Sequence, residues 1–185
     1  QYLTQHGRRM IGWDEILEGG VPASAAVMSW RGIEGAVTAA KQGHDVVLAP
    51  GDSLYLDNLQ TTRSDEPNGR LTTLPLSKVY AFNPVPAALN AEQARHVLGA
   101  QGALWAEYIP SRWHVDHALF PRLAAVAEVT WSPMAARDWK NFLARMPAQL
   151  QRYQALGIDY SDGAFAADID LDGDVNAVLA GGPAK

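Results

Sequence analysis

The sequence has 185 residues, of which 48% are apolar and 19% charged, and it contains no cysteine. These proportions indicate a folded globular domain, and the lack of cysteine excludes disulfides, thiol catalysis and thiolate zinc sites. The 20 acidic residues outnumber the 15 basic ones, giving a net charge of -5, so nucleic acid is a poor partner, and no apolar run approaches the roughly 18 residues that a membrane span requires.

The predicted elements begin with a short helical segment that ends at Gly7. No charged region followed by an apolar block opens the sequence, so we expect it to begin within a longer protein. Short apolar runs bounded by turns indicate four buried strands, over residues 10–13, 27–30, 44–49 and 97–105. Apolar residues at helical spacing predict helices over residues 33–42, 121–129 and 137–156. Residues 57–90 lack periodicity, which predicts a long excursion with at most short helical turns.

Apolar strands separated by helices predict a parallel sheet covered on both faces, which is the α/β class. About four strand-plus-helix units occupy residues 8–156, whereas a closed (β/α)8 barrel takes about 250 residues. If the fold is such a barrel, roughly half of it is present. A complete open-sheet α/β enzyme with a four-stranded sheet is the alternative architecture.

Aromatic and acidic residues recur where the predicted strands end. They are Trp13 with Asp14 and Glu15, Trp30, Tyr55 with Asp57, and Trp105 with Glu107. The carboxyl ends of parallel strands form the edge at which barrels and open α/β sheets bind ligands. Aromatic rings pack on the apolar faces of sugars and carboxylates accept hydrogen bonds from hydroxyls, so this set favours a carbohydrate pocket. For any single tryptophan, the alternative is a place in the core.

Asp14 and Glu15 are adjacent acids, but we do not assign them as a catalytic pair. Neighbouring residues on an extended segment point to opposite faces, so both could not flank one glycosidic bond unless the chain turned sharply. We expect turn carboxylates, with Glu15 capping or pairing locally.

Two features of the sequence could suggest a metal site, and neither is complete. Although His44, His96, His114 and His117 could suggest one, no further ligand has the required spacing, and we expect His114 and His117 to be partly exposed at a helix start. Residues 168–176 match the opening of an EF-hand calcium loop, but Leu179 occupies the position of its final carboxylate, so an edge strand and polar turn are favoured. We therefore predict no metal and no cofactor.

Five short motifs cover the strand ends and the excursion: GWDE at 12–15, MSWRG at 28–32, APGDSLYLD at 49–57, VYAFNP at 79–84 and GAQGALWAE at 99–107. In this order the motifs resemble those of glycoside hydrolase family 20, the β-N-acetylhexosaminidases. The resemblance implies that residues 1–160 are the C-terminal half of a (β/α)8 TIM barrel, with about four βα units, parallel strands and helices outside. Residues 161–185 would be a tail or the start of a following domain or linker.

The resemblance also implies roles for the strand-end residues. An aromatic box around the sugar ring and its 2-acetamido group would be formed by Trp13, Trp30 and Trp105. Tyr55 would donate a hydrogen bond to the acetamido carbonyl oxygen, and thereby hold it for attack on the anomeric carbon. Asp57 and Glu107 would accept hydrogen bonds from the outer hydroxyls of a terminal sugar, which is the pose of an exo-acting enzyme.

The implied reaction is retaining hydrolysis in which the substrate's own amide oxygen is the nucleophile. In that scheme an aspartate orients the amide, and the neighbouring glutamate acts as general acid and then as base. The His-x-Gly-Gly-Asp-Glu motif that carries this pair is absent from the sequence. The arginine expected on the first strand is absent as well, and Arg31 belongs to a different motif. We therefore predict that the isolated chain has no useful turnover.

The implied partner is a glycan ending in N-acetylhexosamine, and the resemblance favours a periplasmic or secreted location. In a half barrel, the strands near Met10 and Val97 lie at sheet edges, so we expect them to pair with the missing N-terminal half barrel or with a second copy. The rival interpretation is a non-catalytic carbohydrate-binding or interaction module that keeps the aromatic residues.

Overall fold

The structure, a computed structural model, describes residues 2–165 of the chain. Within them it has six β-strands: β1 (Ile11–Trp13), β2 (Ala26–Ser29), β3 (Val46–Leu48), β4 (Asn58–Leu59), β5 (Arg70–Thr73) and β6 (Val97–Ala100). The same range contains eight α-helices: α1 (Tyr2–Gln5), α2 (Glu34–Lys41), α3 (Gly51–Leu54), α4 (Leu76–Ala81), α5 (Ala91–Ala94), α6 (Arg112–Leu119), α7 (Arg122–Trp131) and α8 (Trp139–Ala155). None of these helices has the length and apolar content needed to cross a membrane. The calcium-loop-like segment 168–176, with Leu179, lies outside the described residues, as does most of the predicted tail.

The described residues divide into two compact units, of which the first comprises residues 2–55 and 82–103. In this unit β1, β2, β3 and β6 form a four-stranded parallel sheet in that order. Helix α2 packs against β2 and β3, and the buried side chains of the two strands include Val27, Val46 and Leu48. The parallel sheet with a packed helix confirms the predicted α/β class.

The second unit comprises residues 56–81 and 104–165. The short strands β4 and β5 pair in parallel, and α4 packs against α7. Tyr80 of α4 also contacts α8, because its ring centroid lies 4.7 Å from that of Phe142. The buried residues of α8 recur every three or four positions, as expected for one apolar helix face: Phe142, Leu143, Met146, Leu150 and Tyr153.

The three predicted longer helices are present as α2, α7 and α8, close to their predicted bounds. The ends of these helices show the capping features expected of α-helices. At the start of α8, the Asp138 carboxylate accepts a hydrogen bond from the backbone N–H of Asn141 at 2.7 Å, which satisfies an unpaired donor of the first turn. After α2, Gly43 adopts φ +83°, a conformation that glycine takes without steric cost.

Two predictions about strands are wrong in detail. The fourth strand was predicted over residues 97–105, but regular pairing ends at Ala100, and Ala103 then forms an isolated bridge with Tyr55. The excursion over residues 57–90 contains β4, β5 and the six-residue α4, rather than short helical turns alone. Strands of two and four residues are too short to show the alternation by which strands are recognised.

Candidate functional site

Three aromatic residues of the first unit follow its parallel strands. Trp13 is the last residue of β1, Trp30 directly follows β2, and Tyr55 follows α3, the short helix after β3. Strands β1 and β2 pair in parallel with Trp13 opposite Met28, so their carboxyl ends lie at the same edge of the sheet. This edge is where the sequence predicts a ligand site.

Trp30 and Tyr55 lie together as a stacked pair. Their ring centroids are 6.1 Å apart and their planes are inclined by 17°, an arrangement that aromatic side chains favour. Tyr55 is only 3% exposed, and its backbone pairs with Ala103, whereas Trp30 and Trp13 are half-buried. In the first unit, Trp30 and Tyr55 are therefore held against each other, and Trp30 and Trp13 both remain partly exposed.

Asp14 and Glu15 bind the loop that carries Trp30. Asp14 opens a 3-10 turn directly after β1 and is buried, and its carboxylate accepts hydrogen bonds from the backbone N–H groups of Trp30 and Arg31. The exposed Glu15 accepts a hydrogen bond from Trp30 Nε1 at 2.9 Å. Both acids lie in the 3-10 turn Asp14–Gly19, as expected of turn carboxylates, but the prediction that Glu15 caps or pairs locally is wrong, because its partner lies 15 residues further along the chain. Their contact with Trp30 was not predicted, since the sequence does not show that the two segments meet.

The second unit carries the other predicted site residues, which are Asp57, Trp105 and Glu107. Trp105 is 38% exposed and precedes the 3-10 turn Ala106–Tyr108, which places Glu107 on the surface. Asp57 is only 2% exposed. Neither of its carboxyl oxygens accepts a hydrogen bond from any residue in the described range, and Arg70 Nη1 lies 3.8 Å from Asp57 Oδ2.

Burial raises the pKa of Asp57, and the negative charge of Glu107 adds to that effect. The backbone amide of Asp57 and the cation of Arg70 act in the opposite direction. A buried carboxyl group without hydrogen-bond donors costs stability. Acids held in this way are typical of functional sites, where affinity or chemistry requires an incompletely satisfied group.

We expect Asp57→Asn to raise the melting temperature near pH 7 and to have a smaller effect near pH 4. The pKa of Asp57 is raised in the folded state above its unfolded value of about 4. The stabilisation that this carboxyl contributes is therefore complete below about pH 4 and is lost as the pH rises through the folded-state pKa. Melting curves of the wild type and the variant across this range measure the difference. A variant that is less stable than the wild type at pH 7, or a difference that does not shrink toward pH 4, would contradict this account.

Arg122 supports the segment that carries Asp57, a role that was not predicted from the sequence. Its guanidinium is fully buried and donates to four backbone carbonyls at 2.6–3.0 Å: those of Leu56, Asn58, Leu74 and Ala118. Two of these residues flank Asp57. Burial lowers the pKa of Arg122, and the nearby Glu66 and Asp57 oppose that shift. The indication in the sequence is the position of this arginine at the start of the apolar helix that follows Pro121.

Two of the histidines, His96 and His117, each lie near an acidic side chain. In the second unit, the prediction that His114 is partly exposed is wrong, because it is buried in α6. His117 Nε2 lies 3.6 Å from Glu66 Oε1. In the first unit, His96 Nδ1 lies 3.1 Å from Asp45 Oδ1. Within residues 2–165, no group of three or more histidine or acidic side chains is arranged to hold a metal ion.

A separate groove of about 820 Å³ lies between α7 and α8 of the second unit. Its lining includes Trp131, which is 90% exposed, together with Glu128 and Arg145. Arg145 Nη2 donates to Glu128 Oε2 at 2.6 Å across this groove. None of the predicted sugar-site residues lines the groove, so the groove is separate from the predicted sugar site.

Comparison with protein families identifies a match to the model described as glycosyl hydrolase family 20, catalytic domain, over residues 1–134. A beta-hexosaminidase of Porphyromonas gingivalis is 48% identical over 159 residues, which cover 85% of this chain and 20% of that protein. A beta-hexosaminidase of Vibrio furnissii is 35% identical over 128 residues, covering 68% of this chain and 21% of that protein. The chain thus spans about a fifth of the length of these curated relatives.

Solved structures of family 20 enzymes also match this chain. A GH20 exo-β-N-acetylglucosaminidase of Vibrio harveyi in complex with N-acetylglucosamine matches with a TM-score of 0.80 and 36% identity, over 86% of this chain and 25% of that chain. A GH20 β-N-acetylhexosaminidase of Streptomyces coelicolor matches with a TM-score of 0.76 and 27% identity, over 86% of this chain and 34% of that chain. These matches confirm the prediction of a partial (β/α)8 barrel with parallel strands.

Proposed function

Because this chain belongs to glycosyl hydrolase family 20, as its motifs predict, we propose that it supplies the sugar-binding residues of an exo-acting β-N-acetylhexosaminidase. The substrate would be a glycan that ends in N-acetylhexosamine. The observation that carries this proposal is the stacked pair of Trp30 and Tyr55, held beside the carboxyl end of a parallel sheet. The four-stranded sheet alone would also suit an open-sheet enzyme unrelated to sugars, and the family match excludes that alternative.

Each predicted sugar-binding residue has a proposed role that follows from its motif. In the first unit, Trp13 and Trp30 would pack on the acetamido group and Tyr55 would donate its hydroxyl hydrogen to the acetamido oxygen. In the second unit, Trp105 would pack on the sugar ring. There, Asp57 and Glu107 would accept hydrogen bonds from the outer hydroxyls. The covered carboxyl oxygens of Asp57 would have to become accessible when the sugar binds.

The proposed reaction retains the anomeric configuration. The acetamido oxygen attacks the anomeric carbon while a general acid protonates the departing glycosidic oxygen, and water then opens the cyclic intermediate with the same residue acting as base. The hydrogen bond from Tyr55 would hold the acetamido group in the attacking position. The aspartate and glutamate of this scheme are not in the sequence, and we propose that they belong to the rest of the barrel.

The decisive experiment compares the full-length protein with the 185-residue chain on a chromogenic N-acetylglucosaminide. We expect turnover by the full-length protein and none by the chain alone, because general acid-base catalysis is worth about 10²–10⁴-fold and the pocket is incomplete. Trp105→Ala in the full-length protein serves as the control for a damaged site. Turnover by the isolated chain above that control would overturn the proposed division of the active site. Sugar binding without turnover by the full-length protein would favour a carbohydrate-binding module.

We also propose that other strands cover the two outer edges of the parallel sheet. Among the described residues, no strand pairs with the outer side of β1 or of β6, and Ile11 and Leu98 on these strands are 52% and 60% exposed. Exposed strand edges of this kind pair with other chains. The rest of the barrel would supply the partners in the full-length protein.

We therefore expect the isolated chain to self-associate at micromolar concentration, whereas the full-length protein does not use these edges. Sedimentation velocity of the chain measures this directly. Replacing Leu98 with lysine on the outer edge should reduce the association, because a charge on an edge strand opposes pairing, while Leu156→Lys, at an exposed site of the second unit, is the control. A strictly monomeric chain with a sharp melting transition would contradict the proposal.

A further inference from the structure

We infer that Asp14 and Glu15 are positioning residues that fix Trp30 for sugar binding, Asp14 through its backbone and Glu15 through its indole. This inference rests on the proposed function of the Trp30 site and assigns a task to two acids that carry no role in the proposed chemistry. Neither is a catalytic residue in this account, because neither is proposed to touch the reacting atoms.

Asp14 joins the end of β1 to the residues that follow β2. Its Oδ2 accepts hydrogen bonds from Ser29 Oγ at 3.2 Å, from the backbone N–H of Trp30 at 3.2 Å and from that of Arg31 at 3.3 Å. Its Oδ1 accepts a hydrogen bond from Arg31 Nε at 2.8 Å. Both oxygens accept hydrogen bonds and the residue is only 2% exposed, so this carboxylate serves as a buried acceptor for the residues that follow β2.

Helix α2 packs closely against Asp14 at Gly35. A Cβ atom on Gly35 of α2 would lie 2.8 Å from Asp14 Cβ and 2.9 Å from both Asp14 Oδ2 and Ser29 Oγ. Cβ atoms in real proteins do not approach other atoms this closely. Glycine at position 35 is therefore what allows α2 to pack so near the buried carboxylate. The end of β1, helix α2 and the residues that follow β2 therefore all pack around Asp14.

Glu15 holds the other end of Trp30. Its Oε1 accepts the hydrogen bond of Trp30 Nε1 at 2.9 Å, while the same indole stacks on Tyr55 at 6.1 Å between centroids. An indole has one polar atom, and a charged acceptor gives that hydrogen bond a preferred direction. The hydrogen bond and the stacking together restrict rotation of the ring, which is the property that a rigid sugar-binding surface requires.

Glu18 provides a matched control. It belongs to the same 3-10 turn, Asp14–Gly19, and is exposed, as Glu15 is. Its partner is Arg31, whose Nη1 donates to Glu18 Oε1 at 2.8 Å. A substitution at Glu18 therefore changes the charge and the turn in the same way as one at Glu15, without removing the acceptor of the Trp30 indole.

The test uses the full-length protein with 5-fluorotryptophan and compares Glu15→Met, Glu15→Gln and Glu18→Met. Trp30→Phe identifies the ¹⁹F resonance of Trp30. We expect Glu15→Met to shift or broaden this resonance and to lower kcat/KM on a chromogenic N-acetylglucosaminide by about 10-fold, the scale of one lost hydrogen bond to a charged group. Glu15→Gln keeps a carbonyl acceptor and should stay close to the wild type in both measurements, as should Glu18→Met.

The two measurements separate this inference from the proposed function. If the full-length wild type has no hexosaminidase activity, the proposed function fails, and the ¹⁹F resonance still decides whether Glu15 holds Trp30. The inference is overturned if Glu15→Met leaves the Trp30 resonance unchanged, or if Glu18→Met disturbs that resonance equally. Asp14→Asn should produce the same resonance change with a lower melting temperature, since both carboxylate oxygens accept hydrogen bonds and the amide NH2 group would face a donor in either orientation.

Discussion

Replacing Tyr55 with phenylalanine in the full-length protein should lower kcat/KM on a chromogenic N-acetylglucosaminide by about 10²–10³-fold, the usual cost of removing one donor to a reacting oxygen. The proposal assigns the Tyr55 hydroxyl to the acetamido oxygen that attacks the anomeric carbon. The variant keeps the ring and its stacking on Trp30, so the loss should appear mainly in kcat. Steady-state kinetics measure both parameters.

The control for this experiment is Tyr2→Phe, which removes a hydroxyl from an exposed tyrosine of the same unit. It should leave both parameters unchanged. A Tyr55→Phe enzyme within threefold of the wild type would remove Tyr55 from the reaction and leave it a role in packing alone.

Replacing Arg122 with methionine should destabilise the second unit by at least about 3 kcal/mol, because each buried carbonyl left without a donor costs about 1–3 kcal/mol. Four carbonyls lose a donor at once, and the flexible apolar side chain that replaces the guanidinium supplies no hydrogen bond. Because Leu56 and Asn58 flank Asp57, the segment that carries the proposed hydroxyl acceptor should open more often.

Hydrogen-deuterium exchange of peptides that contain residues 56–60 measures this opening. We expect exchange at least about 100-fold faster in Arg122→Met, a lower bound that corresponds to about 3 kcal/mol. Arg112→Met replaces an arginine on α6 whose side chain is 86% exposed, and should leave these peptides unchanged. Equal protection in Arg122→Met and the wild type would show that the four hydrogen bonds do not hold this segment.

The sequence was informative where structure depends on neighbouring residues. Helices α2 and α8 were predicted because their apolar positions recur at helical spacing, and the strands of the parallel sheet because continuous apolar runs are typical of buried strands. The pair β4 and β5 escaped detection, since a strand of two residues carries no alternation and is defined only by its partner.

The roles of the residues that support the proposed site depend on contacts between distant parts of the sequence. These roles were therefore harder to predict. Nothing near Arg122 indicates that its guanidinium reaches four carbonyls, three of them more than 40 residues away in the sequence. His114 was expected to be partly exposed because it begins a helix, but packing in the second unit buries it. Local pattern predicts that Asp14 and Glu15 are not a catalytic pair, which stays a prediction, and it could not show that both contact Trp30.

A crystal structure of the full-length protein with N-acetylglucosamine is the most direct test of the proposed sugar site. The account predicts that the acetamido group lies against the Trp30 indole, with its carbonyl oxygen within about 3 Å of the Tyr55 hydroxyl, the length of an ordinary hydrogen bond. A sugar that binds without contacting either residue would contradict the proposed site.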